Sequence, residues 1–192
     1  MNPIFAAGLE VEGICRAAKL RFCFIGGLAV QRWGQPRMTA DVDLTVITGF
    51  GSEQPYVDAL LAALRGRIDD AKSFAMRYRT LLVVAKNGVH ADISLGAMPF
   101  EERAVARASA FAIGGGSSLT TCSAEDLVVH KAFAARDKDW LDVQGIVVRQ
   151  GAALERDQIW TELAPLLDLR DPDTSATVTR RLKAIFTGES RR

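Results

Sequence analysis

The chain has 192 residues, of which 48% are hydrophobic and 24% are charged, the composition of an ordinary globular protein with a buried core. Its formal net charge of +1 means that the chain as a whole is not basic enough to attract nucleic acid, so an RNA substrate would need a local basic face. The three cysteines show no Cys-x-x-Cys spacing, which argues against a disulfide framework or a zinc site.

The N-terminal region is predicted to form a cover helix. Apolar residues recur at helical spacing between Ile4 and Leu20, and basic residues gather at the end of this segment, where they suit the helix dipole. The first residues lack the basic region that opens a secretory signal, and no apolar run approaches the length of a membrane span. We therefore expect a cytoplasmic protein that does not enter a membrane.

A glycine pair follows the first predicted strand. The apolar run Phe22–Ile25 ends at Gly26-Gly27, and a short helical segment then runs from Leu28 to Trp33. Two glycines at the start of a helix bring bare backbone amides to its positive end, where anions are favoured. The sequence therefore predicts a phosphate-binding turn.

A pair of aspartates lies in the next predicted strand, Asp41-Val-Asp-Leu-Thr-Val46. Side chains alternate across a strand, so Asp41 and Asp43 share one face while Val42, Leu44 and Val46 share the other. Two such carboxylates repel each other by about 4 kcal/mol at a separation of about 4 Å and an effective dielectric of about 20. Lys and Arg are possible partners, but a preset carboxylate pair is better matched by Mg²⁺, which completes its shell with substrate phosphates.

The combination of the glycine pair with the segment Arg37-Met-Thr-Ala-Asp-Val-Asp43 resembles a known signature. It is similar to that of the nucleotidyltransferase superfamily that includes DNA polymerase β, and the Arg-x-Thr-x-Asp-x-Asp lead-in looks like the AbiEii-type toxin branch. The resemblance implies an α/β (α+β) nucleotidyltransferase fold, a mixed β-sheet flanked by helices with a C-terminal helical part. The chain departs from the pattern in having Gly-Gly where many relatives have Gly-Ser, which leaves the phosphate to backbone amides alone.

Three predicted elements follow the aspartate strand. A helix from Tyr56 to Leu64 precedes two strands, Thr80–Ala85 and Val89–Leu95, and the Asn87-Gly88 pair between the strands is a strong hairpin signal. In the second strand Asp92 lies on the polar face. The resemblance places the third carboxylate of the family at this position. His90 shares that face, and we expect it to be a bystander.

A short helix over 99–108 and a strand over 111–113 are predicted next, and Gly114–Ser118 reads as a flexible loop. Ser123 is then a favourable N-cap, and the helix after it, Leu127–Ala135, is apolar nearly all round, which argues for burial. Lys131 lies in the middle of this helix and needs a partner or a route to water. A bound phosphate would supply that partner.

The segment after Lys131 resembles the later motifs of AbiEii-type enzymes, in which a lysine contacts nucleotide phosphates and a downstream aspartate assists it. Asp139 is the candidate for that aspartate, with Asp142 and Asp137 as open alternatives. Two further helices are predicted over 159–169 and 175–186. We expect a nucleotidyltransferase core over residues 1–122 and a C-terminal helical part over 123–192, packed on the core.

The resemblance implies metal-assisted transfer of a nucleoside monophosphate from a nucleoside triphosphate to an acceptor hydroxyl. Asp41 and Asp43 would bind Mg²⁺, and Asp92 would join them in holding a second ion or would act as the base. The residues implied for nucleotide binding are Gly26, Gly27, Arg37, Thr39, Lys131 and Asp139.

The AbiEii-type branch further implies a toxin of a toxin–antitoxin or phage-defence pair, acting on transfer RNA or another RNA and controlled by a cognate antitoxin. Three alternatives stay open at this point. The chain could modify a small molecule, as antibiotic-resistance nucleotidyltransferases do. It could adenylylate a protein, or it could be a nucleotide-binding module without activity, a reading that the intact Asp41, Asp43, Asp92 and Lys131 argue against.

Overall fold

The computed structural model describes residues 2–188, which form two compact units. Unit 1 contains the described residues up to Leu28 together with Met38–Cys122, and unit 2 contains Ala29–Arg37 together with the described residues from Ser123 onward. The chain order of the elements is α1 (Pro3–Ala17), β1 (Phe22–Phe24), α2 (Gly26–Trp33), β2 (Asp41–Ile47), α3 (Gln54–Leu61), β3 (Arg65–Gly66), α4 (Ala71–Tyr78), β4 (Thr80–Val84), β5 (His90–Gly96), α5 (Pro99–Arg107), β6 (Ser109–Gly114), β7 (Ser117–Thr121), α6 (Ala124–Ala134), α7 (Asp137–Gln150), a 3₁₀ turn (Gly151–Ala153), α8 (Arg156–Leu167) and α9 (Pro172–Thr187).

Unit 1 is built on a seven-stranded mixed sheet in the order β3-β4-β5-β2-β1-β7-β6. The β2–β5 and β1–β7 pairs are parallel, and the other neighbouring pairs are antiparallel. A mixed sheet with helices confirms the predicted fold class. The hairpin predicted around Asn87-Gly88 joins β4 to β5, and it is bounded within a residue of where the sequence placed it.

The core of unit 1 lies on one face of the sheet. In β2 the side chains of Val42, Leu44 and Val46 are fully buried, and β5 adds Ala91 and Ile93 from the same face. Asn2 caps helix α1, and its side-chain oxygen accepts a hydrogen bond from the Ile4 amide at 2.9 Å. Because the apolar residues of each strand alternate with polar ones, packing this face leaves Asp41, Asp43 and Asp92 on the opposite one.

The structure corrects one expectation for unit 1 and adds three elements to it. Gly114–Ser118 is a tight turn rather than a flexible loop, since Gly114 ends β6, Ser117 begins β7, and Gly114, Gly115 and Gly116 all have positive φ. The strands β3 and β7 and the helix α4 were not predicted. Asp70 caps helix α4, and its carboxylate accepts a hydrogen bond from the Ser73 amide at 3.2 Å.

Unit 2 is helical. Ser123 caps α6 as predicted, accepting a hydrogen bond from the Asp126 amide at 3.1 Å, and most of α6 is buried. The segment Ala29–Arg37 belongs to this unit because its backbone is bound by α7. Arg149 donates a 2.6 Å hydrogen bond to the Gly34 carbonyl, and Gln150 donates one of 2.7 Å to the carbonyl of Trp33. The sequence had placed this segment in the N-terminal core.

None of the helices within residues 2–188 is long and apolar enough to cross a membrane.

Candidate active site

The predicted carboxylates of unit 1 lie side by side on two neighbouring strands. In the parallel β2–β5 pair, Asp43 is in register with Asp92, and Asp41 is in register with His90. Residues in register on adjacent strands project from the same face, so the sheet brings all three aspartates to one surface. Each aspartate is half-buried, whereas His90 is exposed.

The glycine pair lies directly beside this surface. Gly26 has φ +57°, and a Cβ built on it would come within 2.0 Å of an Asp43 carboxylate oxygen. A Cβ on Gly27 would come within 2.3 Å of Thr39 Oγ1. Both distances are far below any real carbon contact, so only glycine fits at either position. The close approach brings the backbone at the start of α2 to the carboxylates, as the phosphate-binding interpretation requires.

Thr39 connects the glycine pair to the first aspartate. Its hydroxyl donates a 3.1 Å hydrogen bond to Asp41 Oδ1, and the same hydroxyl is the atom that Gly27 leaves room for. The predicted residues Gly26, Gly27, Thr39, Asp41 and Asp43 are therefore gathered at one place in unit 1. Thr39 contacts the Asp41 carboxylate itself, a contact that the sequence motif alone does not show.

Asp92 has a basic neighbour that the sequence did not indicate. Arg67 Nη1 lies 2.8 Å from Asp92 Oδ1, and the two side chains are 24% and 32% exposed. Although the two atoms are within ion-pair distance, Asp92 Oδ1 is buried and accepts no hydrogen bond from any residue in the range 2–188. Arg67 follows β3, and a strand of two residues is too short to recognise by periodicity.

The chemistry of these side chains fits a divalent cation that would be bound jointly by the protein and its substrate. No group of three or more His, Cys, Asp or Glu side chains within residues 2–188 is placed to hold a metal alone. The Asp41–Asp43 pair offers carboxylates from one strand face, and Asp92 contributes an oxygen without a hydrogen bond. Mg²⁺ takes one or two protein carboxylates and completes its shell with phosphates and water, which suits this arrangement.

Unit 2 contains a separate ionic cluster centred on Lys131, which we call the Lys131 cluster. It consists of five side chains, each in contact with the next: Arg136, Asp139, Lys131, Asp142 and Arg37. The Lys131 ammonium lies 2.9 Å from Asp139 Oδ1 and 2.9 Å from Asp142 Oδ2. Arg37 binds Asp142 through two nitrogens, at 2.7 and 2.8 Å.

The Lys131 cluster is buried at its centre and open at its ends. The Lys131, Asp139 and Asp142 side chains are 6%, 0% and 3% exposed, whereas Arg37 is 38% and Arg136 is 61% exposed. Burial raises the pKa of Asp139, but hydrogen bonds from Arg136 and Lys131 outweigh it and leave that pKa lowered. The pKa of Asp142 is lowered in the same way by Arg37 and Lys131.

The two aspartates of the cluster neutralise the buried lysine without a bound phosphate. Lys131 contacts Asp139 and Asp142 equally, so both aspartates satisfy the expectation of a downstream partner, whereas Asp137 is fully exposed and lies 3.7 Å from Arg181. The role of Lys131 and Asp139 in nucleotide binding stays a prediction. Arg136 and the pairing of Arg37 with Asp142 were not anticipated.

Comparison with known families now identifies the chain. A family model described as the nucleotidyl transferase AbiEii toxin of type IV toxin–antitoxin systems matches residues 13–168. The chain belongs to this AbiEii family. It is accordingly a nucleotidyltransferase, and the matched residues include both the glycine–aspartate motif and the Lys131 cluster. Among curated proteins, none matches the chain significantly.

Solved structures share the fold of this AbiEii-family chain. An antigenic nucleotidyltransferase-like protein from Paracoccidioides brasiliensis superimposes with a TM-score of 0.54 at 16% identity, covering 91% of each chain. The solution structure of the antibiotic-resistance factor ANT(2'')-Ia superimposes with a TM-score of 0.55 at 13% identity, covering 88% of this chain and 94% of that one. The crystal structure of ANT(2'')-Ia with adenylyl-2''-tobramycin gives 0.51 at 14% identity, covering 84% and 95%.

We predict that Gly26→Ala lowers nucleotidyl transfer by about 100-fold, because the new methyl group displaces the Asp43 carboxylate by an ångström or more. The matched control is Gly88→Ala, which also places alanine at a positive φ, +84°, but has nothing within 4 Å of the new Cβ. Comparable activity of the two variants in a transfer assay would contradict the proposed close approach.

We predict that Lys131→Met lowers the free energy of unfolding by about 3 kcal/mol, because two buried carboxylates lose a shared cation. Lys138→Met, at an exposed position of α7, should leave stability unchanged within about 0.5 kcal/mol. Urea unfolding followed by circular dichroism measures both. A loss below about 1 kcal/mol in Lys131→Met would show that the cluster does not hold unit 2 together.

The lowered pKa values of Asp139 and Asp142 predict acid sensitivity. A carboxyl group with a folded pKa below its ordinary value of 3.8 stabilises the fold above that value, and the contribution disappears as the pH falls through the folded pKa. Unfolding free energy should therefore drop as the pH goes from 5 to 3. Asp139→Asn/Asp142→Asn should be less stable at pH 7 but show a shallower drop in urea unfolding free energy over this pH range.

Proposed function

We propose that this AbiEii-family enzyme carries out metal-dependent transfer of a nucleoside monophosphate to an acceptor hydroxyl, through the site in unit 1. The observation that carries the proposal is the close approach of Gly26 to Asp43, which is in register with Asp92 on the next strand. A phosphate at the start of α2 would be within reach of the carboxylate surface.

We propose that the nucleoside triphosphate, which donates the nucleotide, binds beside the glycine pair of unit 1. The backbone amides at Gly26 and Gly27 donate to phosphate oxygens, and Asp41 and Asp43 hold the cation, which we propose to be Mg²⁺. When bound, that cation neutralises phosphate charge and makes an acceptor hydroxyl more acidic. The hydroxyl of Thr39 fixes the orientation of Asp41 through its hydrogen bond.

Asp92 serves the acceptor side. We propose that it contributes to the cation site or takes the proton of the acceptor hydroxyl itself. Its Oδ1 accepts no hydrogen bond within residues 2–188, and the neighbouring Arg67 would have to give up its 2.8 Å ion pair for either role. The acceptor oxygen forms a bond to the α-phosphorus, and the bond from that phosphorus to the bridging oxygen of pyrophosphate breaks. Pyrophosphate leaves with the electron pair, and the proton of the hydroxyl goes to the base.

The residues of unit 2 keep the roles that the family resemblance implies. We propose that Arg37 and Lys131 bind the β and γ phosphates and that Asp139 orients the lysine, which its 2.9 Å contact supports. The Arg37 side chain is 38% exposed, and Asp142 holds it in place through a charge-assisted contact. Binding of phosphate by Lys131 would require its ammonium to share or exchange a carboxylate partner.

The family description supports a biological role as the toxin of a type IV toxin–antitoxin pair, with a cognate antitoxin encoded as its counterpart. We propose that the acceptor is RNA, with transfer RNA as the first candidate. The fold neighbour ANT(2'')-Ia, solved with an adenylylated tobramycin, makes a small-molecule acceptor the second candidate. A protein acceptor is the third.

We predict that the purified chain, supplied with Mg²⁺ and each of the four α-labelled nucleoside triphosphates, transfers label to total RNA. Asp41→Asn and Asp43→Asn should each abolish transfer, because the cation loses a carboxylate, while unfolding curves stay close to wild type. Omission of the metal should abolish transfer as well, and Mn²⁺ is the natural substitute to test.

The distribution of label separates the three acceptor classes. Label in protein would replace the RNA proposal with adenylylation of a partner, and label in aminoglycosides or other small molecules would support the second candidate. Full activity of both aspartate variants would overturn the site assignment in every class.

A further inference from the structure

The two edges of the sheet in unit 1 are built differently. At one edge β3 has two residues, carries the exposed Arg65 and is followed by Arg67 and Asp69. Short strands and charged side chains are usual means by which proteins keep a sheet edge from pairing with another chain. At the other edge β6 has six residues, Ser109–Gly114, and contains neither a charged residue nor a proline. The β6 edge therefore lacks the protection that the β3 edge has.

The uncharged character of β6 extends over the whole hairpin that ends the sheet. Residues 108–124 contain no charged side chain, although 24% of the chain is charged. This stretch includes β6, its glycine turn and β7. Four residues of β6 are exposed, Ser109, Ala110, Ala112 and Gly114, so the hairpin presents an uncharged edge to solvent.

The charged groups beside the hairpin do not protect its outer edge. Glu12 and Arg16 of α1 form an ion pair at 2.6 Å, and both bind Thr120. Thr120 lies on β7, which is inside the sheet, because β6 covers its outer side. Arg107 ends α5 before β6 begins, and its side chain is half-buried.

The outer side of β6 leaves backbone and apolar groups incompletely covered. Among the strands within residues 2–188 only β7 pairs with β6, so alternate residues of β6 turn their N–H and C=O groups away from the sheet. Phe111 and Ile113 pack against the core, and Phe111 makes an edge-to-face contact with Phe5 at 6.2 Å. These three side chains are nevertheless only half-buried. A further strand at this edge would bind the backbone groups and cover Phe111 and Ile113.

We propose that β6 is a dimerisation edge, at which the β6 strands of two copies of this chain pair antiparallel about a two-fold axis perpendicular to the sheet. The pairing uses Ser109–Ala112, since the β6–β7 register becomes irregular between Ala112 and Gly114. A two-fold axis presents the same surface from both copies, so the contact is self-complementary. Phe111 of each copy lies on the core side of the joined sheet, beside its counterpart.

Charge favours a second copy as the occupant of this edge. An axis at Ala110, Phe111 or Ala112 places Arg107 opposite residue 113, 115 or 117 of the other copy, all of which are uncharged. No like charges therefore meet along the paired strands, where they would be destabilising.

The assembly also stops at two copies. Pairing occupies the β6 edge of each copy, and the joined sheet ends on both sides at β3, the protected edge. Two-fold closure of this kind gives a finite dimer rather than a fibre.

The dimer leaves each candidate active site complete within one copy. The two β2 strands would lie seven strand positions apart in the joined sheet, about 34 Å at about 4.8 Å per strand. The proposal therefore concerns assembly and does not depend on the reaction proposed for unit 1. Substitutions in β6 should change the oligomeric state and leave nucleotidyl transfer by the monomer unchanged.

The test measures the oligomeric state of the full chain by sedimentation velocity from about 1 to about 200 μM. The paired strands are small for a standard interface, so we expect a dimer dissociation constant of about 10 μM. Ala112→Lys should raise that constant about 30-fold, because it puts a charge on each strand beside the axis. Ala112→Thr, which adds bulk without charge and suits a strand, should dimerise like wild type.

Ala62→Lys is the matched control. Ala62 is exposed at the end of α3, just before the β3 edge, so the same exchange is made at the opposite edge of the sheet. This variant should dimerise like wild type. Circular dichroism unfolding curves check that all the variants are folded.

Disulfide cross-linking locates the contact. The three native cysteines are fully buried, so an introduced pair, Ala110→Cys/Ala112→Cys, supplies the accessible thiols. An axis at Ala110, Phe111 or Ala112 brings a cysteine of one copy opposite a cysteine of the other, within disulfide distance. Mild oxidation should give a covalent dimer that dithiothreitol reverses, whereas Ala62→Cys should stay monomeric on a non-reducing gel.

Three outcomes would overturn the proposal. The wild-type chain could remain monomeric at all concentrations, Ala112→Lys could dimerise as tightly as wild type, or Ala112→Lys and Ala62→Lys could lose dimerisation equally. If the chain is monomeric alone but a cognate protein protects the β6 amides from hydrogen exchange, a strand of that protein replaces the second copy as the occupant.

Discussion

The functional half of this molecule depends on the register of two parallel strands. Register on β2 and β5 sets Asp43 beside Asp92, and like charges in that position repel unless something compensates them. Arg67 balances the negative charge of Asp92. Gly26, which has no side chain, lets the backbone at the start of α2 approach the carboxylate of Asp43. A shift of one residue in either strand would turn the aspartates into the apolar core, so the packing of Leu44 and Ile93 also fixes the chemistry.

The main parts of this arrangement could be predicted from the sequence because they are local. Alternation in Asp41–Val46 assigns the aspartates to one face, and Asn87-Gly88 closes the hairpin that carries Asp92. Gly26-Gly27 is recognisable because glycine is needed where backbone approaches another group. Its functional partner, the carboxylate of Asp43, is seventeen positions away and became visible only when the strands were paired.

The parts that could not be predicted depend on contacts between distant segments. Arg67 follows a strand of two residues, which has no periodicity to detect, and its partner Asp92 lies on another strand. Lys131 was correctly judged to need a partner, and the resemblance implied a phosphate assisted by one downstream aspartate, but not that Asp139 and Asp142 would both contact the ammonium. The carboxylates of Asp139 and Asp142 meet it because α7 turns back along α6, and Arg37 reaches the same cluster from more than a hundred residues earlier.

The membership of Ala29–Arg37 in unit 2 has a consequence for the architecture as a whole. The two units are not consecutive along the chain, so no single cut separates them. Division between Cys122 and Ser123 would leave an N-terminal piece in which Arg37 has lost Asp142 and the Gly34 carbonyl has lost Arg149. The C-terminal piece would lack a helix segment that its own side chains bind. Neither half is a transferable module, and any rearrangement of this gene that shuffles the halves must carry the nine-residue insert with the helical unit.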